Sequence, residues 1–165
     1  MPETSPMLRT WGELSLDEFF EIARVRTEVF FLEQRIDEEE LDERDREETT
    51  EHVWISDDRG VAAYLRVVVD EQPQEGNRDA RRLIGRVVTR ADCRGQGLAR
   101  RVIEHVIERH GHEPLALHSQ KLHPAAVRRA RLRAVRRRVR RGGHPARLHV
   151  PRRDRIAPSK VRRLA

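Results

Sequence analysis

The sequence predicts an α/β-class domain, an α+β sandwich with a mixed sheet in the order β-α-β-β-β-α-β. Three observations carry that expectation: short apolar runs rich in Val and Ile, two amphipathic helical stretches, and a glycine-bearing turn that leads from a strand into the second helix. At 165 residues, a single domain is the default, and it is long enough to bury a real core.

Taken in order, "MLRTW" (7–11) is a short first strand. Ser15 precedes "LDEFFEIARVRTEVFF" as a helix N-cap, with Asp17 and Glu18 in the first turn, near the positive end of the helix dipole. In that helix Leu16, Phe19, Phe20, Ala23 and Phe30 form a broad apolar stripe at helical spacing. The acidic segment 33–51 has no sustained periodicity and reads as a loop with one helical turn. "HVWISDD" and "GVAAYLRVVVD", turning at Asp58-Arg59-Gly60, read as a β-hairpin. Residues 71–82 are a polar loop, "LIGRVVT" (83–89) is a strand, and "GLARRVIEHVIERHG" (97–111) is a helix. There Leu98, Val102, Ile103, Val106 and Ile107 face one way, and Gly111 stands where a left-handed C′ residue belongs. "PLALHS" (114–119) is a further strand.

Composition splits the chain in two. Residues 1–120 carry 17 Arg against 27 Asp and Glu, a net charge of −10, while residues 121–165 carry +16. All seven aromatic residues, Trp11 to Tyr64, lie in the first part. The boundaries expected are therefore a domain over 1–120 and an Arg-rich tail over 121–165, irregular or helical. The single Cys93 excludes an internal disulfide framework, no Cys/His cluster suggests zinc, and a reducing cytoplasm is the simplest compartment. The N-terminus lacks the basic and apolar regions of a signal peptide, and no apolar run approaches the roughly 20 residues that span a bilayer, so no membrane role is expected.

Chemistry concentrates in "LIGRVVTRADCRGQGLARRVIEHV". Glycines at a strand-to-helix turn let backbone approach a ligand without a Cβ in the way. The first free N–H groups of the helix then face it, and the dipole favours negative charge. Arg94 and Arg100 add positive side chains on either side, which makes a cradle suited to a pyrophosphate. It is neither a Walker loop, since no Gly-Lys-Ser/Thr follows, nor a full GxGxxG, since Arg100 replaces the third glycine.

The segment "RGQGLA" resembles the R/Q-x-x-G-x-G/A signature of the GNAT family of N-acetyltransferases, with Arg94, Gly97 and Ala99 on the signature positions. "RTEVFFLEQ" (26–34), "TTEHVWI" (49–55), "VAAYLRVV" (61–68), "LIGRVVT" and "LALHSQ" (115–120) look like the small ElaA-like branch in order and spacing, over about residues 8–120. The resemblance implies an acyl-CoA N-acyltransferase fold and transfer of an acetyl group from acetyl-CoA to a primary amine by direct attack. It implies that the backbone of Arg94, Gly95, Gln96, Gly97, Leu98, Ala99 and Arg100 holds the CoA pyrophosphate. Pantetheine would lie along the strand at Val87 and Val88, wedged where that strand and "LALHS" splay apart. The N–H near Val88 would polarise the thioester carbonyl and stabilise its oxyanion. Holding both reactants side by side supplies acceleration through orientation.

A lysine-like amine is almost wholly protonated at neutral pH, so a base or a water chain must take its proton. Glu33, after an apolar helix end, and His52, opening a strand, are the candidate bases. The acidic loop 37–51 either attracts a cationic amine or is a solvated charge run. The acceptor class is a small-molecule or peptide amine, and a homodimer is one of the expected assemblies.

The tail departs from the family pattern. After the segment like "LALHSQ" the family continues with a helix carrying an aromatic pair, a "GF" strand and a strand ending near "GIPHxxM". Its usual thiolate acid is a Tyr in that helix, and this chain has no Tyr after Tyr64. One explanation is a +1 frameshift near residues 121–126. Codons compatible with Val127 onward can be read one base later as "FDELGFVPSDDEFVEEGIPHVSM", the expected ending, and the chain would then be an inactive or impaired acetyltransferase. The coding DNA across codons 118–130 decides that. The other explanation is a basic arm that binds nucleic acid, with Leu132, Val135 and Val139 at helical spacing, in a non-enzymatic protein. On either account the edge strand "LALHS" is expected to be left open.

Overall fold

The computed structural model describes residues 5–75, 77, 79–118 and 133–135. The expectations for the rest of the tail, including the reading frame and the nucleic-acid arm, lie outside the described residues. Strand β1 (Met7–Thr10) leads into helix α1 (Leu16–Arg26), followed by β2 (Glu51–Asp57), β3 (Gly60–Val69), β4 (Arg82–Thr89), helix α2 (Leu98–His110), β5 (Leu115–His118) and β6 (Arg133–Val135). One sheet runs β1-β2-β3-β4-β5-β6. The first three pairings are antiparallel and the last two parallel, so the sheet is mixed as expected.

α1 starts where Ser15 and Glu18 cap each other: the Glu18 N–H donates to Ser15 Oγ at 3.1 Å, and the Ser15 N–H donates to Glu18 Oε2 at 2.8 Å. It widens at its end into a π-type segment, Thr27–Glu33, where the Gln34 N–H reaches back five residues to Val29 O. The buried row is Ile22, Val25 and Val29, and the apolar stripe read from sequence is not that row. Leu16 is 88% exposed and Phe20 63% exposed, while Phe19 stands edge-on to the Trp11 ring at 5.2 Å. The sheet meets the later turns of α1, where Ile22, Val25 and Val29 fill the contact and Phe30 of the stripe packs, partly buried, against it.

The core has two layers. Under α2, Val102, Ile103 and Val106 pack on Val53, Ile55, Leu65, Val67, Ile84 and Leu117. Under α1, Ile22, Val25 and Val29 pack on Trp54, Val61, Tyr64 and Val88. Strand alternation produces this division: Val53 and Ile55 face one side of β2, and His52 and Trp54 the other.

Two local expectations are corrected. Gly111 has φ −67°, so it is not a left-handed cap. Its N–H donates to Ile107 O at 2.7 Å, and a Cβ there would come within 2.4 Å of that same oxygen. The edge of β5 is not open along its length either, because Ala116–His118 pair with Arg133–Val135. Over those three residues the tail is extended, where the apolar spacing suggests a helix.

Candidate active site

The site forms where β4 stops being a regular strand. Tyr64 pairs with Val88 and Arg66 with Gly85, so Arg86 and Val87 together oppose the single residue Leu65 in a β-bulge. Arg86 occupies it with φ +52°, a left-handed conformation unusual for a residue with a side chain. Nothing in the period-two pattern of "LIGRVVT" signals that extra residue, and the sequence reading missed it. On its other edge β4 pairs with β5 only over Arg82–Ile84. Among the described residues, Gly85–Thr89 have no ladder partner on that side, so main-chain groups along the second half of β4 face the gap between the two strands.

Beyond Thr89 the chain makes a short 3-10 turn, Ala91–Cys93, and then the cradle. Gly95 and Gly97 have φ +77° and +76°, and a Cβ at either would meet nothing within 4 Å. Glycine is therefore needed for backbone conformation, and it leaves the space before α2 open. Gly97 is the N-cap of α2 and supplies no side-chain cap. The first N–H groups of the helix are thus presented outward, at the positive end of the dipole. The sequence-predicted residues Arg94 to Arg100 come together here, and an open turn lined by amides and arginines suits a diphosphate.

Both flanking arginines already hold partners. Arg94 grips Glu33 with both ends of its guanidinium, at 2.9 and 2.5 Å. That contact holds the Glu33 carboxyl below the usual carboxylate range. Arg100 pairs with Glu104 one turn along α2, at 2.7 Å. Beside Glu33, a cleft of about 370 Å³ opens between the α1 end and the turn that precedes the cradle, with Glu28, Arg59, Arg90 and Asp92 on its wall.

His52 lies elsewhere. It is 1% exposed, with Nδ1 at 2.9 Å from the Tyr64 hydroxyl and Nε2 at 3.0 Å from Asp45 O. Burial pushes its pKa down. The ring is enclosed, with both nitrogens engaged. Val88 is 2% exposed, with its side chain in the core under α1.

The acidic loop is not a loose charge run. Arg26 of α1, itself fully buried, bonds Glu40 at 2.6 Å and Asp45 at 2.7 Å. Arg66 of β3 bonds Asp42 at 2.6 and 3.0 Å and Asp45 at 2.8 Å. Burial alone would raise the Asp45 carboxyl, but the two arginines bring it down to about 2. Asp37, Glu38, Glu39 and Glu43 remain turned to solvent. The loop is a fixed wall, inward carboxylates neutralised and outward ones exposed. Sequence alone signals the charge but not which half is consumed internally.

Residues 13–133 match the model of the acetyltransferase (GNAT) family. UPF0039 proteins of Mycobacterium tuberculosis and Mycobacterium bovis are each 33% identical over 119 residues, 71% of this chain and 74% of theirs. An acyl-CoA N-acyltransferase from Pseudomonas aeruginosa is 32% identical, with TM-score 0.55 over 63% of this chain and 68% of that one. Escherichia coli ElaA, at 21% identity, shares the fold with TM-score 0.60 over 69% of this chain and 76% of its own. Among the described residues no helix is long and apolar enough to cross a membrane. With an uncapped helix start behind two left-handed glycines, beside a bulged and half-unpaired strand, the chain belongs to the acetyltransferase (GNAT) family of acyl-CoA-dependent N-acetyltransferases.

Proposed function

We propose that this chain transfers the acetyl group of acetyl-CoA to a cationic primary amine. The observation that carries the reading is the open cradle at Gly95–Gly97, next to the stretch of β4 that β5 leaves unpaired. The cofactor would supply an activated acetyl thioester. Amides of the turn and the α2 start, with Arg94, would hold its diphosphate through charge-assisted hydrogen bonds. Main-chain groups at Val87 and Val88 would bind the pantetheine arm as an added strand does, and an N–H there would polarise the carbonyl.

The outward carboxylates of the acidic loop draw a cation toward this end of the sheet, raising its local concentration. Of the two candidate bases, the geometry favours Glu33, which is exposed, lines a cleft and touches Arg94 of the cradle, over the enclosed His52. Arg94 is the shared element: when it turns to an anion in the cradle it releases Glu33, whose carboxyl then regains basicity toward the ordinary carboxylate range. This makes proton removal depend on a filled cradle.

Calorimetric titration of the full chain with acetyl-CoA tests the reading, followed by a transfer assay on spermidine, an aminoglycoside, a peptide N-terminus and a lysine peptide. Saturable heat, and transfer to at least one polycation that weakens with added salt, are expected. No heat at millimolar acetyl-CoA overturns the assignment. Transfer that is indifferent to acceptor charge overturns the role of the acidic loop.

A further inference from the structure

Arg86 contributes to two structures at once. Its backbone lies in the β4 bulge at φ +52°, in a position where glycine would adopt the same conformation without strain. Its side chain, 30% exposed, extends to the acidic loop. Nε donates to Glu40 O at 3.1 Å, and Nη2 to Glu39 O at 2.9 Å and Asp42 Oδ2 at 3.2 Å. Arg26 and Arg66 hold the same loop from α1 and β3, but of the three only Arg86 lies in the bulge. A side chain that accepts backbone strain while making three hydrogen bonds to a distant loop ties the two conformations together.

We propose that Arg86 is a positioning residue that couples the acidic loop to the β4 bulge. The loop's seating helps hold the bulge in its left-handed form, and the bulge in turn aims the guanidinium at the loop. The acceptor-attracting wall and the main-chain groups offered to the thioester are thereby fixed relative to one another. The functional half of this inference rests on the acetyltransferase reading above; the structural coupling does not.

Three variants of the full chain separate the contributions. Arg86→Gly keeps the left-handed backbone and loses the anchor. Arg86→Ala loses the anchor and strains the bulge. Arg86→Lys keeps a donor able to reach one loop carbonyl. Amide hydrogen exchange without cofactor is the first readout. Both Gly and Ala should speed exchange at Asp42 and Asp45 by about tenfold, Lys less, with Val53 and Ile55 in β2 unchanged. At Val88, Ala should exchange about fivefold faster than Gly, because only Ala resists φ +52°.

The second readout is steady-state transfer. Arg86→Gly should raise KM for the amine about tenfold with kcat within threefold. Arg86→Ala should lower kcat as well and raise KM for acetyl-CoA, which Arg86→Gly should leave unchanged. Wild-type exchange rates at Asp42 and Asp45 in both Gly and Ala overturn the coupling, whatever the chain binds. Absence of acetyl-CoA heat in the wild type overturns the enzyme reading instead, and the exchange result still decides the coupling.

Discussion

The two faces of the sheet are built on opposite principles. Below, against α2, the layer is mainly aliphatic: Val53, Leu65, Ile84 and Leu117 meet Val102, Ile103 and Val106, with one buried polar contact, Glu51 to His110 at 2.7 Å, where β2 begins and α2 ends. Above, against α1 and the acidic loop, the same strands present His52, Tyr64 and Arg66 to Arg26 and Asp45, nearly as deeply buried. The difference teaches where stability and geometry come from. The aliphatic layer supplies non-directional burial energy, tolerant of small shifts. The charged layer gains little net free energy, since desolvation offsets much of the Coulomb attraction, but its hydrogen bonds allow few arrangements. The lower layer holds the sheet together, and the upper one fixes a polar loop against the bulge at which chemistry is proposed.

Breaking the charged layer should cost most. Asp45→Ala strips buried Arg26 and Arg66 of a shared partner and should destabilise by about 4 kcal/mol, read by urea denaturation. In the aliphatic layer, Leu65→Ala should cost about 3 kcal/mol by the same measurement, through lost burial and a cavity. If Asp45→Ala costs less than Leu65→Ala, the contrast between the faces is weaker than their chemistry implies.

Acid should distinguish the faces next. The Asp45 carboxyl is depressed from 3.8 to about 2, so the folded state binds its proton less readily than the unfolded chain. Its contribution, roughly 2 kcal/mol, is complete above the unfolded value and is lost as pH falls from about 4 through 2. In Asp45→Asn that slope should shrink, while Leu65→Ala should keep it. At the cradle, Gly97→Val forces a β-branched side chain to φ +76° and should weaken acetyl-CoA binding by about tenfold in calorimetry, with little change in either face. Smallest of all, Leu16→Ser should alter stability by less than about 0.5 kcal/mol, because Leu16 touches neither layer.

Much of the fold was legible because the signals are local. Ser15 and Glu18 announce the start of α1, Asp58-Arg59-Gly60 announces the hairpin, and Leu98 to Ile107 carry an unbroken helical period. The cradle was legible for a similar reason: two glycines in "RGQGLA" before a helix constrain backbone whatever surrounds them. The bulge at Arg86 was not, since an extra residue in β4 is defined only against its partner β3. Nor was the burial of His52, which depends on Tyr64 from one strand and Asp45 from a loop. Leu16 and Phe20 misled for the related reason that hydrophobicity says a side chain prefers burial but not which turn of the helix meets the sheet.

By itself, then, the sequence determined the element order through β5, the charge division near residue 120, and the glycine turn before α2, because each depends on neighbours within a few residues. Tertiary structure alone decided that Glu33 faces Arg94, that three arginines hold half of the acidic loop, and that β4 leaves its partner after Ile84. Those facts join residues up to 61 positions apart. No local preference specifies such a contact; it arises when two apolar layers close on one sheet and bring its polar groups within hydrogen-bond reach.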